Sequence, residues 1–104
     1  MLQLEDLLRR AAGIGAGSVL LSVGHPPAAR IGRQLQPPFD AALLTFQETE
    51  RIAESLLTDT ERHQLLKEGS IEVPFEIAGI SGTVIVFYGL GSHNMVFHLD
   101  LQSK

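Results

Sequence analysis

The sequence of 104 residues contains no cysteine, and this absence excludes several kinds of site. Without thiols the chain has no disulfide framework, no thiolate metal site and no cysteine nucleophile. It also has no apolar run long enough to span a bilayer, and no basic N-terminal segment followed by an apolar core. We therefore expect a cytoplasmic protein that does not insert into a membrane.

Positive charge is also scarce. The 8 Lys and Arg residues are outnumbered by 12 Asp and Glu, which gives a net charge of −4. Proteins that bind the phosphates of nucleic acids usually carry a net positive charge, so nucleic acid is not an expected partner. The hydrophobic share of 44% is ordinary for a globular protein. We predict a single domain over residues 1–104 that folds alone.

Familiar catalytic and nucleotide-binding motifs are missing as well. The glycine-rich run at 13–17 leaves a predicted helix and enters a predicted strand, whereas phosphate-binding loops leave a strand and open a helix. No Gly-Lys-Ser/Thr follows this run, and no serine lies in a Gly-x-Ser-x-Gly elbow. We therefore predict no catalytic residue, no cofactor and no metal, and interpret the glycines as a helix cap and turn.

The chain does contain a strand-rich stretch, from Ser70 to Leu101. Alternating apolar residues predict a strand at Ser70–Ile77, with Pro74 pointing outward, which indicates either an edge strand or a bulge. The next strand, Thr83–Tyr88, is apolar on both sides, so we expect it to be central and covered on both faces. A third strand is predicted at Met95–Leu101, beyond a turn-rich link at 89–94. Short links make these three strands an antiparallel meander.

The first two thirds of the chain supply helices that can cover this meander. Apolar spacing predicts a helix at Leu2–Ala12, and Ser18–Val23 is the first strand, followed by a short hairpin within 29–35. Capping boxes at Thr45–Glu48 and Thr58–Glu61 begin two further helices, the second of which ends at Gly69. The predicted fold class is α+β, in the order α-β-β-α-α-β-β-β. Ile52, Ala53, Leu56 and Leu57 form one apolar face of the first of these helices, and the second contains Leu65 and Leu66.

One corner of the sequence is locally basic and rich in proline. His25, Pro26 and Pro27 follow the first strand, and Arg30 and Arg33 lie on the hairpin. The two prolines predict an extended, exposed corner. These five residues are our candidates for partner binding, as a docking point for an acidic protein or a phosphate. The alternative is an ordinary solvated turn.

A second candidate lies on the outward side of the last strand. His98 and Asp100 are two residues apart and share one side of that strand, where Glu72 or Glu76 could join them. Such a set of side chains could hold a metal or support acid–base chemistry. An exposed row of these residue types is more often a solvated, charge-paired face.

Three segments of the sequence also resemble a known family. The run 15–27, followed by Arg30-Ile31, resembles the signature Gly-Ala-Ser-Asp-x-His-Leu-Ser-x-Gly-x-Pro-Pro…Arg of type IV pilus retraction ATPases of the PilT type. The segments 56–59 and 72–79 resemble that family's Leu-Leu-Thr-Asp and Asp-x-Ser-Phe-Glu-x-x-Gly segments, in the same order. The resemblance implies an N-terminal PAS-like domain, an antiparallel sheet with helices packed on one face, which precedes the ATPase core of a hexameric motor.

The departures from the family pattern bear on function. Ser18 and Leu20 stand where the signature has Asp and His, and residues 82–101 contain no Arg, although the family carries phosphate-reaching arginines there. No Walker A motif is present. We therefore expect no ATPase activity, but a protein-interaction or assembly module of the pilus, twitching-motility or type II secretion kind. Its expected partners are further copies of itself, a motor ATPase or an associated protein. The alternative is a PAS-like domain that senses a small ligand.

Overall fold

The computed structural model describes residues 3–36, 43–89 and 91–100. Within them three helices pack against one face of a six-stranded antiparallel sheet. This confirms the predicted α+β class, and the predicted element order holds except that the hairpin contributes two separate strands. In chain order the elements are α1 (Leu4–Gly13), β1 (Ser18–Leu21), β2 (Ala28–Ile31), β3 (Gln34–Leu35), α2 (Phe46–Leu56), α3 (Asp59–Glu68), β4 (Ser70–Ile77), β5 (Ile80–Gly89) and β6 (Ser92–Leu99). Across the sheet the strands follow the order β3-β2-β1-β6-β5-β4.

Both predicted capping boxes form. At the start of α2 the Glu48 backbone N–H donates to Thr45 Oγ1 at 3.2 Å, and the Thr45 N–H donates to Glu48 Oε1 at 3.0 Å. Thr58 and Glu61 make the same reciprocal pair at the start of α3. Gly69 ends α3 with a φ of 87°, a conformation that favours glycine. Local hydrogen-bonding chemistry therefore fixes where these two helices begin and where α3 ends.

The core lies between the helices and the inner face of the sheet. Phe75 and Phe97 meet edge to face, with ring centroids 5.2 Å apart. Leu65 of α3 is buried, but Leu66 is 60% exposed, because neighbouring residues lie about 100° apart around a helix. The buried core residues of the sheet and of α1 include Val19, Leu21, Val84, Val86, Met95, Leu7, Leu8 and Ala11.

The links of the meander are tighter than predicted. Ala78 and Gly79 form a two-residue turn, with φ values of 55° and 81°, and β5 begins directly after it. The predicted link at 89–94 is shorter, because β6 already begins at Ser92. Leu101, the predicted end of the third strand, lies outside the described residues. Pro74 lies on β4, which is an edge strand, one of the two predicted alternatives.

The prediction for the second strand of the meander was half right. β5 pairs with β4 on one side and β6 on the other, so it is central within the sheet. In the described part of the chain, however, the three helices cover only its inner residues, and Phe87 on the outer side is 43% exposed. Apolar residues on both sides of a strand indicate that both sides can be buried. They do not determine whether another element packs on the second side.

Candidate interaction site

The outer face of the sheet carries a row of apolar side chains. Strand register places Leu20 of β1 beside Val96 of β6, and Val96 beside Ile85 of β5. These three residues are only half-buried, and the more exposed Phe87 follows two positions after Ile85. We call Leu20, Val96, Ile85 and Phe87 the apolar stripe. Contiguous exposed apolar surface of this kind marks sites of protein or ligand contact.

Opposite charges lie at the two ends of this face. Arg30 is exposed on β2 and shares a cross-strand row with Ser18 and His98. Glu72 and Glu76 are exposed on β4, beyond three intervening strands and hence about 19 Å from β2 at about 4.8 Å per strand. Within the described residues none of these three side chains makes an ion pair. The outer face is therefore polarised, basic at one side and acidic at the other.

The five candidate residues of the basic corner differ in exposure. His25 is exposed and Pro26 half-buried, and both line a cleft of about 380 Å³ beside the hairpin. Arg30 lies on the outer face of the sheet next to this cleft, because its cross-strand partner Leu35 lines it. Exposed Arg33 lies in the turn between β2 and β3. Pro27 is fully buried, so the predicted exposure was wrong at this position. The other residues that line the cleft are Leu20, Ser22, Ala28, Leu35 and Gln36.

A later segment of the chain returns to this corner, beside the residues that precede the buried proline. Leu44, just before α2, donates its N–H to the His25 carbonyl at 3.0 Å and accepts from the Gly24 N–H at 2.9 Å. Leu44 is itself buried. Turn chemistry predicts the extended backbone at the prolines, but only the fold shows that a later segment packs alongside.

The second candidate site is an open groove at the β4–β5–β6 end of the outer face. It has a volume of about 720 Å³, and Glu76, His98 and Asp100 line it, whereas Glu72 does not. His98 is exposed, and its Nδ1 lies 3.4 Å from Ser18 Oγ. No group of three or more His, Cys, Asp or Glu side chains within residues 3–36, 43–89 and 91–100 is arranged to hold a metal ion. The groove is therefore lined by polar side chains and is accessible to water.

Comparison with known proteins identifies the fold. No family model and no curated protein sequence matches the chain. The crystal structure of the pilus retraction motor PilT with bound ADP does match, with a TM-score of 0.81 and 27% identity, over 94% of this chain and 29% of that one. The resemblance to the N-terminal domain of PilT-type ATPases is thereby confirmed.

Two further solved structures share the PilT-type fold. The DotB ATPase of Yersinia pseudotuberculosis matches with a TM-score of 0.78 and 18% identity, over 93% of this chain and 29% of that one. The DotB ATPase of Legionella pneumophila gives 0.72 and 17%, over 92% and 28%. The chain thus spans less than a third of each of these proteins. No helix in its described residues has both the length and the hydrophobicity to cross a membrane.

The apolar stripe was missed as a site by sequence reasoning, although a signal for it exists. Ser18 and Leu20, which replace the Asp and His of the PilT-type signature, both lie in cross-strand rows of the outer face. The stretch without arginine, 82–101, includes the outer positions of β5 and β6. These departures fall on one surface, and together they make it less charged.

Proposed function

We propose that this chain is a non-catalytic interaction module of the PilT type that binds protein through the outer face of its sheet. The observation that supports this function most directly is the one-sided burial of the sheet. The helices bury the inner face in the core, while the apolar stripe on the outer face stays accessible to solvent in the described residues. Partially exposed apolar side chains on one flat surface favour association with another surface over catalysis.

The partner we propose is a pilus or secretion motor ATPase, or a protein associated with one, in the cytoplasm. The likeness to PilT, described as a pilus retraction motor, supports this choice. The sequence has no Walker A motif and no arginine in 82–101 that could clamp a phosphate. We therefore propose that the chain contributes contacts rather than chemistry to such an assembly, in a process such as twitching motility.

Binding to a purified PilT-type ATPase tests this function. The outward side chain of Ile85 lies in the apolar stripe, so Ile85→Lys places a charge on the proposed surface with little effect on the core. Leu66→Lys is the matched control, because Leu66 is 60% exposed on α3, away from the outer face. We expect the wild-type chain and the Leu66 variant to bind equally, and the Ile85 variant to bind at least about tenfold more weakly.

Two results would contradict the proposal. If the wild-type chain binds no ATPase of this type in a pull-down or by calorimetry, the proposed partner class is wrong. If binding occurs but Ile85→Lys leaves it unchanged while the variant is folded by circular dichroism, the outer face is not the surface used. Hydrolysis of a nucleotide by the purified chain, lost in a stripe variant, would instead indicate a catalytic role.

A further inference from the structure

We infer that the outer face of the sheet binds a second copy of this chain, related by a two-fold axis that runs along the strands. The inference rests on the proposed function, because it uses the same surface. It names a second copy of this chain as a protein that this surface binds. It depends on the placement of charge across that surface, with Arg30 at the β2 side and Glu72 and Glu76 at the β4 side.

Two aligned sheets can pack face to face with either of two in-plane two-fold axes. An axis across the strands places β2 over β2 and β4 over β4, so that Arg30 meets its own copy and the glutamates meet theirs. An axis along the strands, centred on β6, reverses the strand order of the second copy and places its β4 over β2. Arg30 then faces acidic side chains. Like charges oppose the first arrangement at both sides of the sheet. The second pairs Arg30 with acidic side chains at both sides and brings together one like-charged pair, the two copies of exposed Asp100 at the end of β6, so the balance of charge favours it.

The register along the strands makes this charge match close. Arg30 lies in the same cross-strand row as Pro74 of β4, through Ser18, His98 and Thr83. Glu72 and Glu76 are the residues two positions before and after Pro74, and they point to the same side of the strand. In the two-fold pair, each Arg30 therefore lies opposite the segment of β4 in the other copy that carries the two glutamates.

The same axis brings the apolar stripe together. Val96, on β6, faces Val96 of the second copy, and Leu20 faces Ile85, because β1 and β5 are equidistant from β6 in the sheet. The contact is self-complementary, as an isologous interface must be. It covers the half-buried side chains that the described helices leave open on this face.

The size of the surface predicts weak association. Five strands by about five residues measure about 19 by 17 Å, a projected area on the order of 300 Å² per copy, which is below the roughly 800 Å² of a standard interface. We therefore expect a dimer that forms reversibly at high micromolar concentration. Sedimentation velocity from about 10 µM to about 1 mM should show a rising weight-average mass.

The absence of cysteine allows the geometry to be tested by single-cysteine cross-linking. Facing sheets lie about 10 Å apart, too far for a direct disulfide, so the reagent is a bis-maleimide of about that length. Val96→Cys lies on the proposed axis and should give a covalent dimer. Glu72→Cys lies far from the axis and should give no more than the collisional background, which Leu66→Cys on α3 measures. We expect at least about a tenfold difference in dimer yield between the Val96 and Leu66 variants.

Charge reversal tests the orientation independently. Arg30→Glu should raise the dissociation constant about tenfold, and the triple variant Arg30→Glu/Glu72→Arg/Glu76→Arg should restore it, because every opposed pair is then reversed together. A wild-type chain that stays monomeric at about 1 mM, or a Glu72→Cys variant that cross-links as well as Val96→Cys, would overturn the inference.

The outcomes separate this inference from the proposed function. If the chain stays monomeric but Ile85→Lys still abolishes binding to a PilT-type ATPase, the second copy is the wrong occupant and the interaction role stands. If the dimer forms and no ATPase binds, the proposed motor partner is wrong and self-association is the use of this face.

Discussion

At Gly82 the neighbouring backbone leaves no room for a side chain. A Cβ atom at this position would lie 2.0 Å from the carbonyl oxygen of His98 and 3.1 Å from the Phe75 ring. The first of these contacts is with backbone, which cannot move aside without breaking the β5–β6 ladder. We expect Gly82→Ala to lower the free energy of unfolding by about 3 kcal/mol or more. Urea denaturation followed by circular dichroism measures this loss.

Gly89, on the same strand, is the matched control for that substitution. A Cβ atom there would meet no atom within 4 Å, and its φ lies outside the left-handed range. Gly89→Ala should therefore change stability by no more than about 1 kcal/mol. Equal losses for the two variants would show that the close approach at Gly82 does not decide the effect.

At the scale of single elements, α3 is fixed by its ends as well as by its packing. Leu65 is its one buried residue among those described, and a capping box begins the helix. Thr58 Oγ1 accepts from the Glu61 N–H at 3.2 Å. We expect Thr58→Ala to cost about 1 kcal/mol in unfolding free energy, and Thr58→Ser to cost much less because it keeps the acceptor. Equal costs, measured by thermal unfolding of both variants, would contradict the role of the cap.

The elements also show what could be predicted from the sequence and what could not. Helix starts at Thr45 and Thr58 follow from local hydrogen-bonding chemistry and were predicted correctly. The same chemistry restricted Pro74 to an edge or a bulge, and the structure places it on an edge strand. The burial of Pro27 and the open outer side of Phe87 depend on which distant segment packs where. A local pattern carries no information about that. For the same reason the sequence did not show that His25 and Pro26 line a cleft beside the hairpin.

At the scale of the whole molecule, the sheet has one face in the core and one face outside it. Phe97 is fully buried on the inner face, while Phe87 on the adjacent strand is 43% exposed on the outer face. We expect Phe97→Ala to cost about 3–5 kcal/mol, a large part of a small domain's stability, and Phe87→Ala to cost about 1 kcal/mol or less. Chemical denaturation of the two variants compares the faces directly. Similar losses at both positions would mean that the outer face is covered within the monomer.

The position of β6 has a consequence for how the protein is made. This strand is inserted between β1 and β5, so that Ser18 pairs with His98, 80 positions away in sequence. During synthesis β1 has no neighbour on that side until β6 leaves the ribosome. Long-range pairing of this kind is slow to form and leaves an apolar strand edge open in the meantime. The nascent chain therefore exposes an edge that favours aggregation for as long as it takes to make the residues between β1 and β6.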